Sequence, residues 1–276
     1  MDVVSLIRYG TDQHMSLPLE VTVLGSGTST GVPMILCDCA VCTSQNPKNK
    51  RLRTSIILRN AEHSILIDCG IDFREQALRH QINRMSALLL THAHSDHVAG
   101  LDEIRIFNWK QGHPIPTYAS AVTLDGLYKR FDYIFNPLQK GGGIPKLDIH
   151  EVVDEPIHAG DLTIIPLEIM HGILPVLGFR FGNFAYITDA SEIPEKTMEK
   201  LKGVKYLILN ALRHKPHPTH FNIDQAVAMA QKIGAEKTWF THITHDLEHE
   251  ETNASLPPGI ELAYDGLKFE IDSQES

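Results

Sequence analysis

The chain has 276 residues, of which 42% are hydrophobic, and a formal net charge of −9 at pH 7. This is enough apolar material for a sizeable core, whereas the acidic balance argues against a broad nucleic-acid surface. No apolar run approaches the roughly 18 residues of a membrane span, and the N-terminus lacks the pattern of a signal peptide. We therefore expect a cytoplasmic protein with no membrane partner.

The first half of the chain, after a lead-in of residues 1–18, is predicted to contain strands followed by helices. Runs of apolar and β-branched residues predict the strands, and apolar residues at helical spacing predict the helices. The strands are predicted at Glu20–Leu24, Ser55–Arg59, Ser64–Asp68, Ala87–Leu90 and Ile115–Ala119, and the helices at Val98–Trp109 and Ala121–Phe131.

Two glycine-rich segments interrupt this pattern. Gly25–Gly31 follows the first strand but matches neither a Walker sequence nor a full dinucleotide fingerprint, so we interpret it as a tight turn. Asn136–Pro145, which contains Gly141–Gly143, is predicted to be flexible and to act either as a lid or as a linker.

The second half is again rich in strands. Because strands and helices alternate on both sides of residue 145, we predict an α/β fold of two packed sheets with helices outside. We expect one domain, residues 1–276, with halves of about 20–140 and 146–271. The strands are predicted at Leu162–Ile169, Leu177–Phe181, Phe184–Thr188, Tyr206–Leu209, Lys237–Thr241, Glu261–Ala263 and Lys268–Ile271, and a helix at Ile223–Ile233.

A cluster of metal-competent side chains follows the predicted strand Ala87–Leu90. It consists of His92, His94, Asp96 and His97, and borderline metals such as zinc bind imidazole nitrogen and carboxylate oxygen. In an extended segment His92 and His94 point the same way, and a turn can bring Asp96 and His97 to a second point. The spacing predicts a dinuclear metal site rather than a histidine-rich surface loop.

Three further candidates, His171, Asp189 and His242, also follow predicted strands. Each has an ordinary explanation when taken alone, because single histidines are common on surfaces and Asp is a frequent turn former. Their shared position after a strand indicates that they belong with the cluster.

Three of the four cysteines lie close together, as Cys37, Cys39 and Cys42. This spacing fits disulfide geometry poorly and suits a tetrahedral zinc, for which the expected fourth ligand is a histidine distant in sequence. Cys69 stands apart and is interpreted as a small buried core residue.

These motifs resemble those of the metallo-β-lactamase superfamily and, within it, the PhnP-type phosphodiesterases. The resemblance implies the αββα four-layer sandwich, with two mixed sheets and helices outside. It covers about Val21 to Ile271 and is carried by the H-x-H-x-D-H run, the cysteine cluster, Leu24–Pro33, Asp68–Gly70, Ile187–Asp189 and Thr241–His245.

The resemblance also implies two catalytic metals, manganese or zinc, and one structural zinc. Metals held there would lower the pKa of a bound water, which would then attack phosphorus. The implied ligands are His92, His94 and His171 for one metal, Asp96, His97 and His242 for the other, Asp189 as a bridge, and Cys37, Cys39, Cys42 and His245 for the structural zinc.

Asp96 and His220 are the predicted catalytic residues. His220 matches an additional histidine of the family and is expected to hydrogen-bond the phosphate or to protonate the leaving oxygen. Arg213 is a candidate for binding substrate phosphate, because a guanidinium matches two oxygens at once. His214 and His217 are weaker candidates for a substrate role.

Two further polar residues complete the set. Asp68 is predicted to hold the metal-binding loop through backbone hydrogen bonds. Asn210 stands where many relatives have Asp, and loss of a supporting carboxylate there predicts a change in metal preference or in local charge.

The leading functional hypothesis is a phosphodiesterase acting on a small cyclic phosphate, such as 5-phosphoribosyl 1,2-cyclic phosphate or a cyclic nucleotide. A tRNA 3′-processing nuclease is an alternative, but a long RNA favours a basic surface or arm. A non-catalytic cofactor carrier is another, although every expected ligand is present, and thioester or lactam hydrolysis is less favoured because of the cysteine cluster. The expected partners are the small substrate and, by analogy with relatives, a second copy in a homodimer.

Overall fold

Two seven-stranded sheets form the centre of the molecule, in a computed structural model that describes residues 18–138 and 143–272. The first sheet has the order β14-β1-β2-β3-β4-β5-β6, and β3 to β6 are parallel. Its strands are β1 Leu19–Gly25, β2 Ser55–Arg59, β3 Ser64–Ile67, β4 Ala87–Leu89, β5 Ile115–Ser120, β6 Leu147–Val152 and β14 Lys268–Ile271.

The second sheet has the order β13-β12-β11-β10-β9-β8-β7, and β10 to β13 are parallel. Its strands are β7 Ile157–Ala159, β8 Leu162–His171, β9 Leu174–Phe181, β10 Phe184–Ile187, β11 Tyr206–Asn210, β12 Lys237–Thr241 and β13 Ile260–Leu262.

The two sheets pack face to face, and helices cover their outer faces. Val21 and Ile56 of the first sheet share a buried cluster with Phe179 and Phe184 of the second. Alternate side chains point to the other face of each sheet, where they pack against helices. This confirms the predicted αββα sandwich. The helices are α1 Ala40–Thr43, α2 Phe73–Arg79, α3 Ser95–Val98, α4 Ile104–Gln111, α5 Ala121–Arg130, α6 Asp132–Phe135, α7 Glu195–Lys200, α8 Ile223–Ile233 and α9 His249–Ser255.

The prediction of one continuous helix over Val98–Trp109 is wrong. The chain forms α3, a short 3-10 turn at Leu101–Glu103, and then α4. The break lies at Gly100, whose amide donates to the carbonyl of Cys69 at 2.9 Å. A Cβ at Gly100 would lie 2.1 Å from the carbonyl oxygen of Gly70, so this contact between segments requires glycine.

The helix α8 has the predicted bounds because its ends carry strong local signals. Asn222 and Gln225 form a capping box at the N-terminus, and Gly234 ends the helix with φ 77°. Several short elements were not predicted, since they have too few residues for a clear period. They include α2, α7, α9 and the partly exposed edge strand β6.

Sheet membership differs from the predicted halves. Both β6 and β14 pair in the first sheet, although they lie in the predicted second half. Residues 1–17, 139–142 and 273–276 lie outside the described residues. The lead-in prediction and the middle of the predicted lid segment therefore fall outside the part of the chain that the structure describes. That all 276 residues form one domain stays a prediction. Among the described helices, none combines the length and apolar character needed to span a membrane.

Candidate metal centre and active site

The candidate ligands lie close together because the strands that precede or carry them end on the same side of the two packed sheets. The H-x-H-x-D-H segment follows β4, and His171 is the last residue of β8. Asp189 and His242 follow the parallel strands β10 and β12. Both have positive φ angles, 58° and 57°, so the backbone turns sharply where the side chain enters the site.

The first group consists of His92, His94 and His171, whose ligand atoms lie within 4.8 Å of one another. His92 Nε2 is 2.8 Å from His94 Nδ1. His92 and His171 are buried, whereas His94 is exposed, so this group opens towards solvent.

The second group consists of Asp96, His97 and His242, whose ligand atoms also lie within 4.8 Å. The Asp96 Oδ2 atom is 3.3 Å from His97 Nε2 and 3.4 Å from His242 Nε2. The four neighbouring residues 92, 94, 96 and 97 are thus divided between two groups, as the spacing predicts.

Asp189 lies between the two groups. Its Oδ2 atom is 3.3 Å from His97 Nε2, and its Oδ1 atom is 3.2 Å from His242 Nε2. Both of these histidines belong to the second group. Asp189 is linked to the first group by two possible ligand sets, one with His92 and His97 and one with His171 and His220. Burial opposes ionisation, but the adjacent imidazoles of His242 and His97 hold the pKa of this carboxyl well below its usual range. A buried carboxylate is therefore available to both groups.

The residues present fit a pair of divalent metals. His97 Nε2 is fully buried and has no hydrogen-bond partner among the described residues, although two carboxylates lie 3.3 Å away. Burial and the charge of His97 lower the pKa of His92 well below its usual value, so His92 is in the neutral form that binds metals. Imidazole with carboxylate suits zinc or manganese.

Asp68 fixes the orientation of a candidate ligand. Its Oδ2 atom is 2.7 Å from His97 Nδ1, and its Oδ1 atom accepts from the amide of Thr91 at 2.8 Å. The Nδ1 atom of His97 therefore donates to Asp68, which leaves Nε2 for a metal. The backbone contact agrees with the predicted structural role, and the imidazole contact adds to it.

His220 lies beside the bridging position. Its Nε2 atom is 2.9 Å from Asp189 Oδ1, and its ring stacks on His242 with centroids 4.9 Å apart. Burial lowers the pKa of His220 to about 4, although the hydrogen bond with Asp189 raises it. The structure thus brings this predicted catalytic residue to the site.

Arg213 hydrogen-bonds to the backbone of its own segment rather than to a candidate ligand. The guanidinium of Arg213 donates to the carbonyls of Lys215 and Pro216, both at 3.2 Å, and His214 is exposed. Their substrate roles stay predictions.

The cysteine cluster forms a second metal-competent site. Cys37, Cys39, Cys42 and His245 have their ligand atoms within 4.8 Å, and the His245 Nδ1 atom is 3.2 Å and 3.3 Å from the first two sulfurs. The amide of Cys42 and the His245 ring lower the pKa of Cys39 to about 6, so this thiol ionises readily. Thiolate with imidazole is the donor set of structural zinc. Cys69 is fully buried elsewhere, as expected for a core residue.

Arg51 links the two sites and was not identified from the sequence. It is 1% exposed, and its guanidinium donates to the carbonyls of Thr244 at 2.9 Å and of Leu247 at 2.7 Å. These carbonyls belong to the segment that carries His242 and His245. An arginine between loop residues gives no sequence signal of such burial, so only the tertiary structure reveals this role.

The glycine-rich segment ends in the predicted tight turn, where the amide of Gly31 donates to the carbonyl of Thr28 at 2.8 Å. A Cβ at Gly25 would lie 2.1 Å from the carbonyl oxygen of Arg53. Asp265, whose side chain is 4% exposed, accepts hydrogen bonds from the amide and the hydroxyl of Ser26, both at 2.9 Å. The backbone of Arg53 and the carboxylate of Asp265 therefore both contact the segment.

Asn210 has a backbone role that the sequence did not suggest. Its side-chain oxygen accepts from the amide of Ala190 at 2.7 Å, and its side-chain nitrogen donates to the carbonyl of Ala190 at 3.0 Å. Ala190 follows Asp189, so this pair of bonds holds the strained turn at the bridging position. The predicted effect of position 210 on metal preference stays a prediction.

We expect Asn210→Asp to destabilise the fold by about 2 kcal/mol at neutral pH, because a carboxylate cannot donate to the Ala190 carbonyl and is buried next to it. Urea unfolding of the metal-loaded protein measures this, with the exposed Asn83→Asp as the matched control. An unfolding midpoint equal to that of the control contradicts the proposed contact.

Comparison of the chain with known protein families identifies its family. Residues 63–243 match the family described as Beta-lactamase superfamily domain, and the chain belongs to this family of metallo-β-lactamase-fold hydrolases. Within it the chain is PhnP-like. It is 46% identical, with a TM-score of 0.87, to a crystal structure described as a new diphosphatase from the PhnP family, and the match covers 92% of this chain and 98% of that one.

The match covers different shares of the length of two curated relatives. The chain is 43% identical over 262 residues to an octanoyltransferase of Porphyromonas gingivalis, a match that covers 93% of this chain but 52% of that protein. The chain therefore spans about half the length of this relative. It is 24% identical over 254 residues to a ribonuclease Z of Mycobacterium sp., covering 81% of this chain and 84% of that protein.

Proposed function

We propose that the protein is a dinuclear metal-dependent phosphodiesterase that opens small cyclic phosphates. The observation that carries this proposal is the position of Asp189, whose carboxylate contacts His97 and His242 of the second group. The same carboxylate forms a possible ligand set with His171 of the first group and His220. A carboxylate between two histidine-rich groups suits chemistry on an anionic ester.

The chain's own residues account for binding and proton handling. Bound divalent metals would supply positive charge for the phosphoryl oxygens and lower the pKa of water. Asp68 holds the His97 ring in one tautomer, and Asp189 is placed to serve both groups. His220 Nε2, 2.9 Å from Asp189 Oδ1, is positioned to handle the proton of the ester's leaving oxygen.

A small substrate fits the charge of the chain. Its formal net charge of −9 repels a long polyanion, whereas a local pair of metals attracts a single phosphate. We therefore rank precursor tRNA below a cyclic phosphate, although a ribonuclease Z is among the relatives.

Hydrolysis of a diphosphate is the second candidate. The 46%-identical structure is described as a diphosphatase, and a phosphoanhydride presents the same kind of reacting phosphorus as a phosphodiester. Octanoyl transfer is not proposed, because the matched region is about half of the octanoyltransferase.

A substrate panel tests the proposal. Zinc-loaded and manganese-loaded protein is assayed with 5-phosphoribosyl 1,2-cyclic phosphate, a cyclic nucleotide, a dinucleoside diphosphate and precursor tRNA. We expect kcat/KM for a cyclic phosphate to exceed that for the diphosphate and the tRNA by about 100-fold or more. A higher kcat/KM for the diphosphate would replace the leading candidate with the second one.

A further inference from the structure

We propose that a surface cavity remote from both metal-competent sites binds the terminal phosphate group of a small ligand. The cavity has a volume of about 310 Å³, and Arg59 and Arg84 are among the residues that line it. None of its described lining residues is a carboxylate. In a chain with a formal net charge of −9, a concave surface with two guanidiniums and no acid is a local site of attraction for an anion.

The cavity lies at the opposite end of β3 from the candidate catalytic ligands. His63 and Ser64 line it where β3 begins, whereas Asp68, which contacts His97, follows the last residue of β3. The strand has 4 residues. At about 3.3 Å per residue they separate the two ends by roughly 13 Å. The cavity is therefore a separate site, and the inference does not depend on the proposed hydrolysis.

The two arginines meet at Asn60, in the turn between β2 and β3. Arg59 precedes Asn60, and its Nη1 atom donates to the carbonyl of His80 at 3.2 Å. Arg84 Nη2 donates to the carbonyl of Asn60 at 3.3 Å. These bonds orient both guanidiniums, and each group keeps further N–H donors because a guanidinium has five. Two oriented guanidiniums suit the oxygens of a phosphate group.

Neighbouring carboxylates leave positive charge at the cavity. Glu20 Oε1 is 3.6 Å from Arg59 Nη2 but 2.9 Å from Lys268 Nζ, so the lysine is its closer partner. Arg84 forms no ion pair within residues 18–138 and 143–272. Burial lowers the pKa of His80, and three nearby cations, Arg59 among them, lower it further. The local potential therefore favours an anion.

Gln81 has a strained backbone at the edge of the cavity. Its φ angle is 51°. Its amide donates to the carbonyl of Leu78 at 3.3 Å, and the amide of Ile82 donates to that of Ala77 at 2.9 Å. This is the bonding pattern of a helix that ends at a left-handed residue, which is usually glycine. Glutamine costs stability at such a position, and strain of this kind concentrates at functional sites.

The side chain of Gln81 gives that strain a use. It is exposed and lines the cavity, and it forms no hydrogen bond with another residue in the described part of the chain. The side-chain amide nitrogen has two N–H donors for phosphate oxygen. A glycine at this position would remove the strain but also the donor.

His63 fixes one wall of the cavity against the second sheet. Its side chain is 10% exposed, and its Nε2 atom is 2.5 Å from Oδ1 of Asp161, in the turn between β7 and β8. A Cβ at Gly160, in the same turn, would lie 2.9 Å from His63 Cε1. The wall is thus held by both sheets, so little ordering is required when a ligand binds.

Crystals of the zinc-loaded protein test the site directly. They are soaked in sodium tungstate, a phosphate analogue, and anomalous scattering is collected at the tungsten edge. We expect a tungsten peak between Arg59 and Arg84 and its loss in Arg59→Gln/Arg84→Gln. The control Arg74→Gln/Lys110→Gln removes exposed positive charges elsewhere and should keep the peak. An empty cavity in the soaked wild type, or a peak that persists in the Arg59/Arg84 variant, overturns the proposal.

Calorimetric titration of the same proteins with ribose 5-phosphate, inorganic phosphate and ribose identifies the source of the phosphate. The metal centre is the same in all variants, so a difference from wild type reports the cavity. We expect Arg59→Gln/Arg84→Gln to weaken binding of both phosphates at the cavity about 10-fold or more. The tighter of the two ligands names the source, and ribose should not bind.

Gln81→Gly is a second variant whose fold is not at risk. It should weaken binding of ribose 5-phosphate about threefold or more and should keep or raise the unfolding midpoint. Binding equal to wild type in this variant and in the Arg59/Arg84 variant overturns the proposal. A tungsten peak without binding in solution shows an adventitious ion only and also overturns it. Tighter binding of an oligoribonucleotide, lost in the Arg59/Arg84 variant, overturns the assignment to a small ligand.

Discussion

Replacing Asp189 with Asn is expected to lower kcat/KM for a phosphodiester by about 10³-fold or more. The substitution keeps the size of the side chain but removes the negative charge that faces His97 on one side and His242 and His220 on the other. A neutral amide can serve neither candidate group as a bridging anion. Steady-state hydrolysis, together with zinc content per chain, measures the effect.

The control for Asp189→Asn is Asp125→Asn, at an exposed carboxylate that pairs with Lys129 on α5. This control should keep full activity and metal content. The Asp189 variant should retain the zinc at the cysteine cluster, because that site shares no ligand with the catalytic one. Wild-type activity in Asp189→Asn contradicts the assigned centre.

Replacing Cys42 with Ser is expected to remove one zinc per chain and to lower the unfolding midpoint by about 10 °C. Cys42 is buried, and its sulfur accepts from the amide of Met34 at 3.3 Å, so the cluster organises the surrounding loop. His245 lies three residues after His242, and Arg51 binds carbonyls in the same segment. Activity should therefore also fall, though less than in Asp189→Asn.

Cys69→Ala is the matched control for the cysteine cluster, because Cys69 is buried in the core and lies outside the group of possible ligands. It should keep the full metal content even if its own cavity lowers stability. Thermal unfolding and metal analysis on the same samples separate the two effects. An unchanged zinc content in Cys42→Ser would remove the structural site from the account.

The candidate ligands could be predicted from the sequence because each follows an apolar strand. Four of them are nearly consecutive, and the strand ends then place His171, Asp189 and His242 beside them. The helix α8 could be predicted equally well, since its capping box and terminal glycine are local signals.

What the sequence could not supply are contacts between distant segments. The break before α4 depends on Gly100 meeting Gly70, and the role of Asn210 depends on the backbone of Ala190. Burial of Arg51 likewise follows from carbonyls almost 200 residues away. No local period or motif encodes such pairings, because each partner looks ordinary in its own stretch of sequence.

The location of bound metals tests the central claim most directly. A crystal grown with zinc, with anomalous scattering collected at the zinc edge, should show two neighbouring peaks on either side of Asp189 and a third among Cys37, Cys39, Cys42 and His245. Full occupancy at the cysteine cluster with no anomalous peak beside Asp189 would contradict the dinuclear centre on which the proposed hydrolysis depends.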